Sequence, residues 1–286
     1  MSASGNPGTD VHSITELRQY LPDSGTNFLW GITGVFLLVF LIVLIFCFTA
    51  PESDRVFHYL YVICLLVGAV TYFAQASNYG WVIVGSFDET SSQYSQSQLF
   101  FWAKYVYWTV AWPSVSLSLG LLSGLSWVTM LTNLAISWIW VICYLAGAFV
   151  EDNYKWGFFG FGTFSWLILT MSTLNEGREA AQRGGIQRDY LLLASWSSLI
   201  WVCYPVAYAL SDASSTMDTM GGVIFFGILD VLMVPVMSLA FLTLGRGWNF
   251  QKLHLAVSAE RYNQERNQLN DDSKTSGVGG LQSSTT

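Results

Sequence analysis

The chain has 286 residues, a net charge of −7 and only 11% Asp, Glu, Lys and Arg, while 52% of it is apolar and 16% is Phe, Trp or Tyr. Soluble domains carry roughly 25% charged residues, so this composition cannot supply a solvated surface and indicates a membrane protein. Twelve bases against nineteen acids leave no basic stripe for nucleic acid.

Residues 1–27 are polar and lack a basic flank followed by a short apolar run, so no cleaved signal peptide is expected, and the first span directs insertion. A bilayer core of about 30 Å needs about 20 mostly apolar residues to cross it as a helix. Seven stretches meet that need in chain order: residues 28–50, 56–77, 98–121, 125–150, 156–174, 190–210 and 220–244. The third contains one charge, Lys104, and the seventh one, Asp230. Lys and Arg are retained on the cytoplasmic side. With the N-terminus outside, nine bases from Arg55 to Lys274 fall inside and only Arg18 and Lys155 outside. The expected architecture is therefore all-α, with an extracellular segment 1–27, a seven-helix membrane domain 28–245 and a cytoplasmic tail 246–286. In that tail, residues 249–269 could form a short helix. Residues 270–286, rich in Ser, Thr, Gly and Asp, read as disordered.

Chemistry-bearing patterns are few. Cys47, Cys64, Cys143 and Cys203 lie in apolar runs without C-x-x-C spacing, and His12, His58 and His254 are scattered, so no metal site is expected. Gly157-Phe-Phe-Gly160-Phe-Gly162 follows no strand and cannot be a phosphate loop. Gly120-x-x-x-Gly124 reads as a point of close helix approach. No Ser–His–Asp, Cys–His or paired-carboxylate arrangement can be assembled, so the chain reads as a non-enzyme.

The midplane is more informative. An intramembrane charge costs about 2.5–3.5 kcal/mol on insertion scales, so Lys104 and Asp230 need partners. A rise of 1.5 Å per residue places them roughly 6 Å apart in depth, and a Lys104–Asp230 pair, direct or joined through water, is the expected solution. Trp108 lies one turn below Lys104 with Tyr107 beside it, and Trp201, Tyr204 and Tyr208 share a face of the sixth span. Most of the aromatic rings are core packing, but those around two buried charges read as a pocket, functional or vestigial.

These residues resemble the microbial rhodopsins. The resemblance rests on seven spans, Lys104-Tyr-Val-Tyr-Trp108-x-x-x-x-Pro113, Trp201-Val-Cys-Tyr204-Pro205 and Leu229-Asp230-Val231. It implies that Trp108, Trp201 and Tyr204 flank the retinal position, that Asp230 is the span-seven counterion and that Lys104 replaces an arginine. The family's retinal lysine lies four residues after the aspartate, where this chain has Val234. Covalent retinal is therefore not expected, and no other cofactor is. The family's proton-acceptor and donor positions read Tyr107 and Ser118, which excludes pumping by the usual route. Asp54-Arg55-x-Phe57, Ala76-Ser77-Asn78-Tyr79-Gly80-Trp81 and Tyr154-Lys155-Trp156-Gly157 extend the resemblance to the fungal opsin-related branch, which includes the small membrane heat-shock proteins. That branch implies a stress-responsive protein of the plasma membrane, chaperone-like or restraining the proton ATPase. The alternatives are a photoreceptor or small-molecule receptor using the vestigial pocket, and an ion-conducting protein.

Overall fold

The architecture was analysed on a computed structural model, which describes residues 21–50, 55–88, 93–150, 152–214, 216–245 and 248. The expected tail helix at 249–269 lies outside the described residues. Seven membrane-crossing rods form one bundle: α1 (Asp23–Thr49), α2 (Arg55–Ala76), α3 (Ala103–Ser123), α4 (Trp127–Ala148), α5 with α6 (Lys155–Met171, Gly177–Arg183), α7 (Gln187–Tyr208), and α8 with α9 (Thr219–Met233, Pro235–Gly245). Six of these rods are long and apolar enough to span a bilayer on that criterion alone. The exception is α3, whose Lys104, Ser116, Ser118 and Ser123 lower its apolar content. Those four side chains are buried inside the bundle and so point away from lipid.

The ends of the rods follow local chemistry. Ser126 accepts the Thr129 N–H at 3.2 Å and caps α4, and Asp218 accepts the Gly221 N–H at 3.2 Å and caps α8. Gly124 stops α3 with φ of 76°, a left-handed conformation that glycine adopts without a Cβ penalty. It is thus a cap, whereas Gly120 provides the close approach: a Cβ there would lie 2.9 Å from Met130 of α4. Arg55 donates from Nε to the Ala50 carbonyl at 3.1 Å, closing the end of α1.

Three features depart from the sequence reading. First, the connection between α2 and α3 is an antiparallel hairpin of β1 (Val82–Asp88) and β2 (Gln93–Phe100), with Val82 opposite Phe100 and a register shift between Val84 and Ser86. Residues 98–100, expected to begin the third span, therefore belong to a strand. Second, both the fifth and sixth spans run longer than expected, each through a π-helical turn: Ser172–Glu176 joins α5 to α6, and Ala209–Ala213 extends α7. π turns inside helices are rare and are frequent at functional sites. Third, the seventh span is broken at Val234, because Pro235 has no N–H to donate into the helix.

Candidate functional site

Third-, sixth- and seventh-span residues converge in the bundle core, and Asp230 of α8 is the polar centre. It is completely buried. Its Oδ1 accepts from Trp108 Nε1 at 2.9 Å and from the Tyr204 hydroxyl at 2.7 Å, and its Oδ2 accepts from the Tyr72 hydroxyl. The Tyr107 hydroxyl points at the Asp230 backbone oxygen at 3.5 Å, while its ring lies edge-on to Phe36. Three donors from α2, α3 and α7 thus satisfy the carboxyl group, which forms no salt bridge among the described residues.

The expected Lys104–Asp230 pair does not form. Lys104 Nζ instead lies 2.9 Å from Oδ1 and 2.6 Å from Oδ2 of Asp212. The physical reason is the π turn after α7. A helix ending at residue 210 would leave Asp212 in a loop, but the turn continues the rod to Ala213 and carries Asp212 over the end of α3. Tyr105 donates to Asp212 Oδ2 at 2.6 Å and Ser211 contacts Oδ1 at 3.3 Å. The ammonium also lies over the rings of Phe226 at 4.0 Å and Tyr105 at 5.4 Å from their centroids, an aromatic setting that favours a cation. A small cavity of about 30 Å³ adjoins this pair on the hairpin side, lined by Tyr72, Gln75, Lys104, Asp212, Thr219 and Phe226 among others.

The shared face of the sixth span fans out. Trp201, Tyr204 and Tyr208 are all buried, but only Tyr204 reaches Asp230. Tyr208 stacks on Tyr144 at 4.2 Å and donates to the Tyr144 carbonyl at 3.0 Å. Trp201 meets Trp140 edge-on, with centroids 6.3 Å apart. Between Trp108 and Trp201 lie two further tryptophans. Trp112 stacks on Trp108 at 5.0 Å and 14°, and Trp140 stacks on Trp112 at 3.9 Å and 29°. Val234 is fully buried just below Asp230, whose carbonyl accepts its N–H at 3.1 Å. Trp196 donates to the Leu232 carbonyl at 3.0 Å and ties α7 to α8 beside it.

Sequence reasoning missed Asp212, Tyr72, Tyr105, Trp112 and Trp140. For Asp212 a signal existed: it continues the helical face of Trp201, Tyr204 and Tyr208 by one more turn. Trp112 likewise follows Trp108 by four residues. Nothing in the local pattern of α2 or α4 marks Tyr72 or Trp140.

A family model described as bacteriorhodopsin-like protein matches residues 24–234. The chain belongs to that family. Among curated proteins, this family member is similar to the opsin-like protein carO of Fusarium fujikuroi, with 27% identity over 74% of this chain and 70% of that one. It is also similar to the 30 kDa heat shock protein of Saccharomyces cerevisiae, with 23% identity over 77% of this chain and 72% of that one. Among solved structures, the light-driven proton pump of Leptosphaeria maculans has the same fold, with a TM-score of 0.73 over 79% of this chain and 97% of that one at 22% identity. Val234, at the break in the seventh span, carries no amine, and Lys104 lies on α3.

On the side opposite the hairpin the core is closed by aromatic packing. Phe241 of α9 stacks on Phe57 at 5.6 Å, lies against Tyr61 at 5.2 Å and meets Trp248 edge-on at 5.8 Å. Trp248 Nε1 donates to Asp189 at 2.7 Å, and the Tyr61 and Ser118 hydroxyls are 3.1 Å apart.

Proposed function

We propose that this opsin-like multi-pass membrane protein carries no covalent retinal, catalyses no reaction and acts through contacts with other membrane proteins during stress. The observation that carries the reading is Val234: the buried residue between α8 and α9, which the resemblance aligns with the family's chromophore lysine, is a valine. An alkyl side chain cannot form the linkage, so the light-driven chemistry has no starting point. The likeness to a protein named for heat shock supports a stress role. The resemblance to the fungal opsin-related branch adds the plasma membrane as the site and the proton ATPase as a partner, and the distribution of Lys and Arg adds an N-terminus outside. Ion conduction is disfavoured because Lys104 is engaged by Asp212, Asp230 by three donors, and the opposite end by Phe57, Tyr61, Phe241 and Trp248.

Deleting the gene and applying heat, weak-acid or aromatic-toxicant stress tests the proposal. Reduced survival together with altered proton-ATPase activity is expected, and affinity purification from stressed membranes should recover a membrane partner. Unchanged survival and unchanged ATPase activity in the deletion strain overturn it.

A further inference from the structure

The loss of a lysine removes only the covalent bond to retinal; the space that a retinal would occupy is a separate matter. By the family resemblance that space lies between Trp108 and Trp201. Both rings are completely buried, and the interval between them is spanned by Trp112 and Trp140, which are equally buried. A flat polyene inserted between two ring faces needs a carbon–carbon contact of roughly 3.5 Å on each side, so the faces must stand about 7 Å apart. Trp108 and Trp112 are nearly parallel with centroids at 5.0 Å, and Trp112 and Trp140 at 3.9 Å, so neither gap admits one. Tyr204, edge-on to Trp112 at 5.1 Å, closes the flank. The rings are held by packing more than by hydrogen bonds: Trp112 Nε1 and Trp201 Nε1 find no acceptor among the described residues. Residues selected to cradle a ligand would be expected to leave space and direct polar groups into it. Here large rings consume the space and leave donors unused.

We infer that the chromophore slot of this protein is filled by its own side chains, Trp112 and Trp140, so that the protein excludes retinoids even as noncovalent ligands. The residues present therefore do not fit retinal, for a steric reason independent of the missing amine. The inference deepens the proposed function and shares with it only the placing of Val234 at the lysine position. The stress role could fail while the slot stays filled, and the reverse, so the two are tested by different measurements.

The test uses the full chain purified in detergent. The wild type, Val234→Lys, and Val234→Lys combined with Trp112→Ala and Trp140→Ala are each incubated with all-trans-retinal. Bound retinal is read as a visible band bleached by hydroxylamine and as a mass increase after borohydride reduction. Noncovalent binding to the wild type is read by equilibrium titration with all-trans-retinol. The wild type should bind neither retinoid at one-to-one stoichiometry, Val234→Lys should form no pigment, and the triple variant should show at least about tenfold more bound retinal than Val234→Lys. Because the triple variant has two large cavities, Trp112→Ala alone serves as a second probe. Indole should raise its unfolding temperature and leave that of the wild type unchanged, as an apolar cavity takes up a ring that fits it. Stoichiometric pigment from Val234→Lys alone, saturable one-to-one retinol binding by the wild type, or a folded triple variant that takes up no retinal would each overturn the inference. So would a folded Trp112→Ala that ignores indole.

Discussion

Replacing Lys104 by Met and Asp212 by Asn, singly and together, measures the ion pair on which the hairpin side of the core depends. The nitrogen lies 2.6 and 2.9 Å from the two carboxylate oxygens, and the two side chains are 9% and 8% exposed. At about 3 Å, Coulomb's law gives roughly 5–6 kcal/mol with an effective dielectric of 20 and about 1.5 kcal/mol in water. The cavity beside the pair admits solvent and moves the effective value down from the buried limit. Tyr105 and Ser211 keep Asp212 partly satisfied when Lys104 is removed, and the surrounding rings retain part of the setting of Lys104 when Asp212 is removed. Each single change should therefore cost about 2–4 kcal/mol, and the double change should fall short of their sum by about 2–3 kcal/mol. The assay is equilibrium unfolding in mixed micelles of a mild and a denaturing detergent, with the four proteins compared under one condition. A companion cycle with Lys104→Met and Asp230→Asn should give a coupling below about 1 kcal/mol, since the donors to Asp230 are Tyr72, Trp108 and Tyr204. Additive losses for Lys104 and Asp212, or a larger coupling between Lys104 and Asp230, would refute the assignment.

Two further outcomes can be read in the same assay. Asp230→Leu strands three buried donors at about 1–3 kcal/mol each and should cost about 3–9 kcal/mol in all. Asp230→Asn, which keeps an oxygen for Trp108 and Tyr204, should cost at most about half as much; equal losses for the two variants would contradict the hydrogen-bond account. Gly177→Ala drives a methyl group into the Tyr190 hydroxyl, which donates to the Thr173 carbonyl at 2.6 Å beside the first π turn. It should destabilise by about 1–3 kcal/mol. Gly160→Ala, with nothing within 4 Å of its new methyl, should be neutral or slightly stabilising; the reverse order would show that the turn is not anchored by Tyr190.

The number of spans, the class of protein and the absence of any lysine from the seventh span were determined by the sequence alone. Crossing a bilayer is a demand on local composition, about 20 apolar residues at a stretch. A primary amine is likewise either present in a helix or absent from it. The convergence of Trp108, Tyr204 and Asp230 was legible for a similar reason, because fixed helical spacing within each motif sets the face each side chain occupies. What the tertiary structure decided was which helices meet and how they are rotated. Asp212 became the partner of Lys104 because a π turn keeps residues 209–213 helical, and such a turn depends on the packing around it rather than on the five residues that form it. The hairpin at 82–100 is too short in apolar residues and too rich in Ser and Gln for a search for membrane spans to register it, and its strands satisfy each other's backbone through a register that no single strand specifies. The contact of Trp112 with Trp140 joins two helices whose sequences carry no mark of one another. Pair contacts across a bundle depend on the relative rotation of two rods, and that rotation is set by the whole core at once.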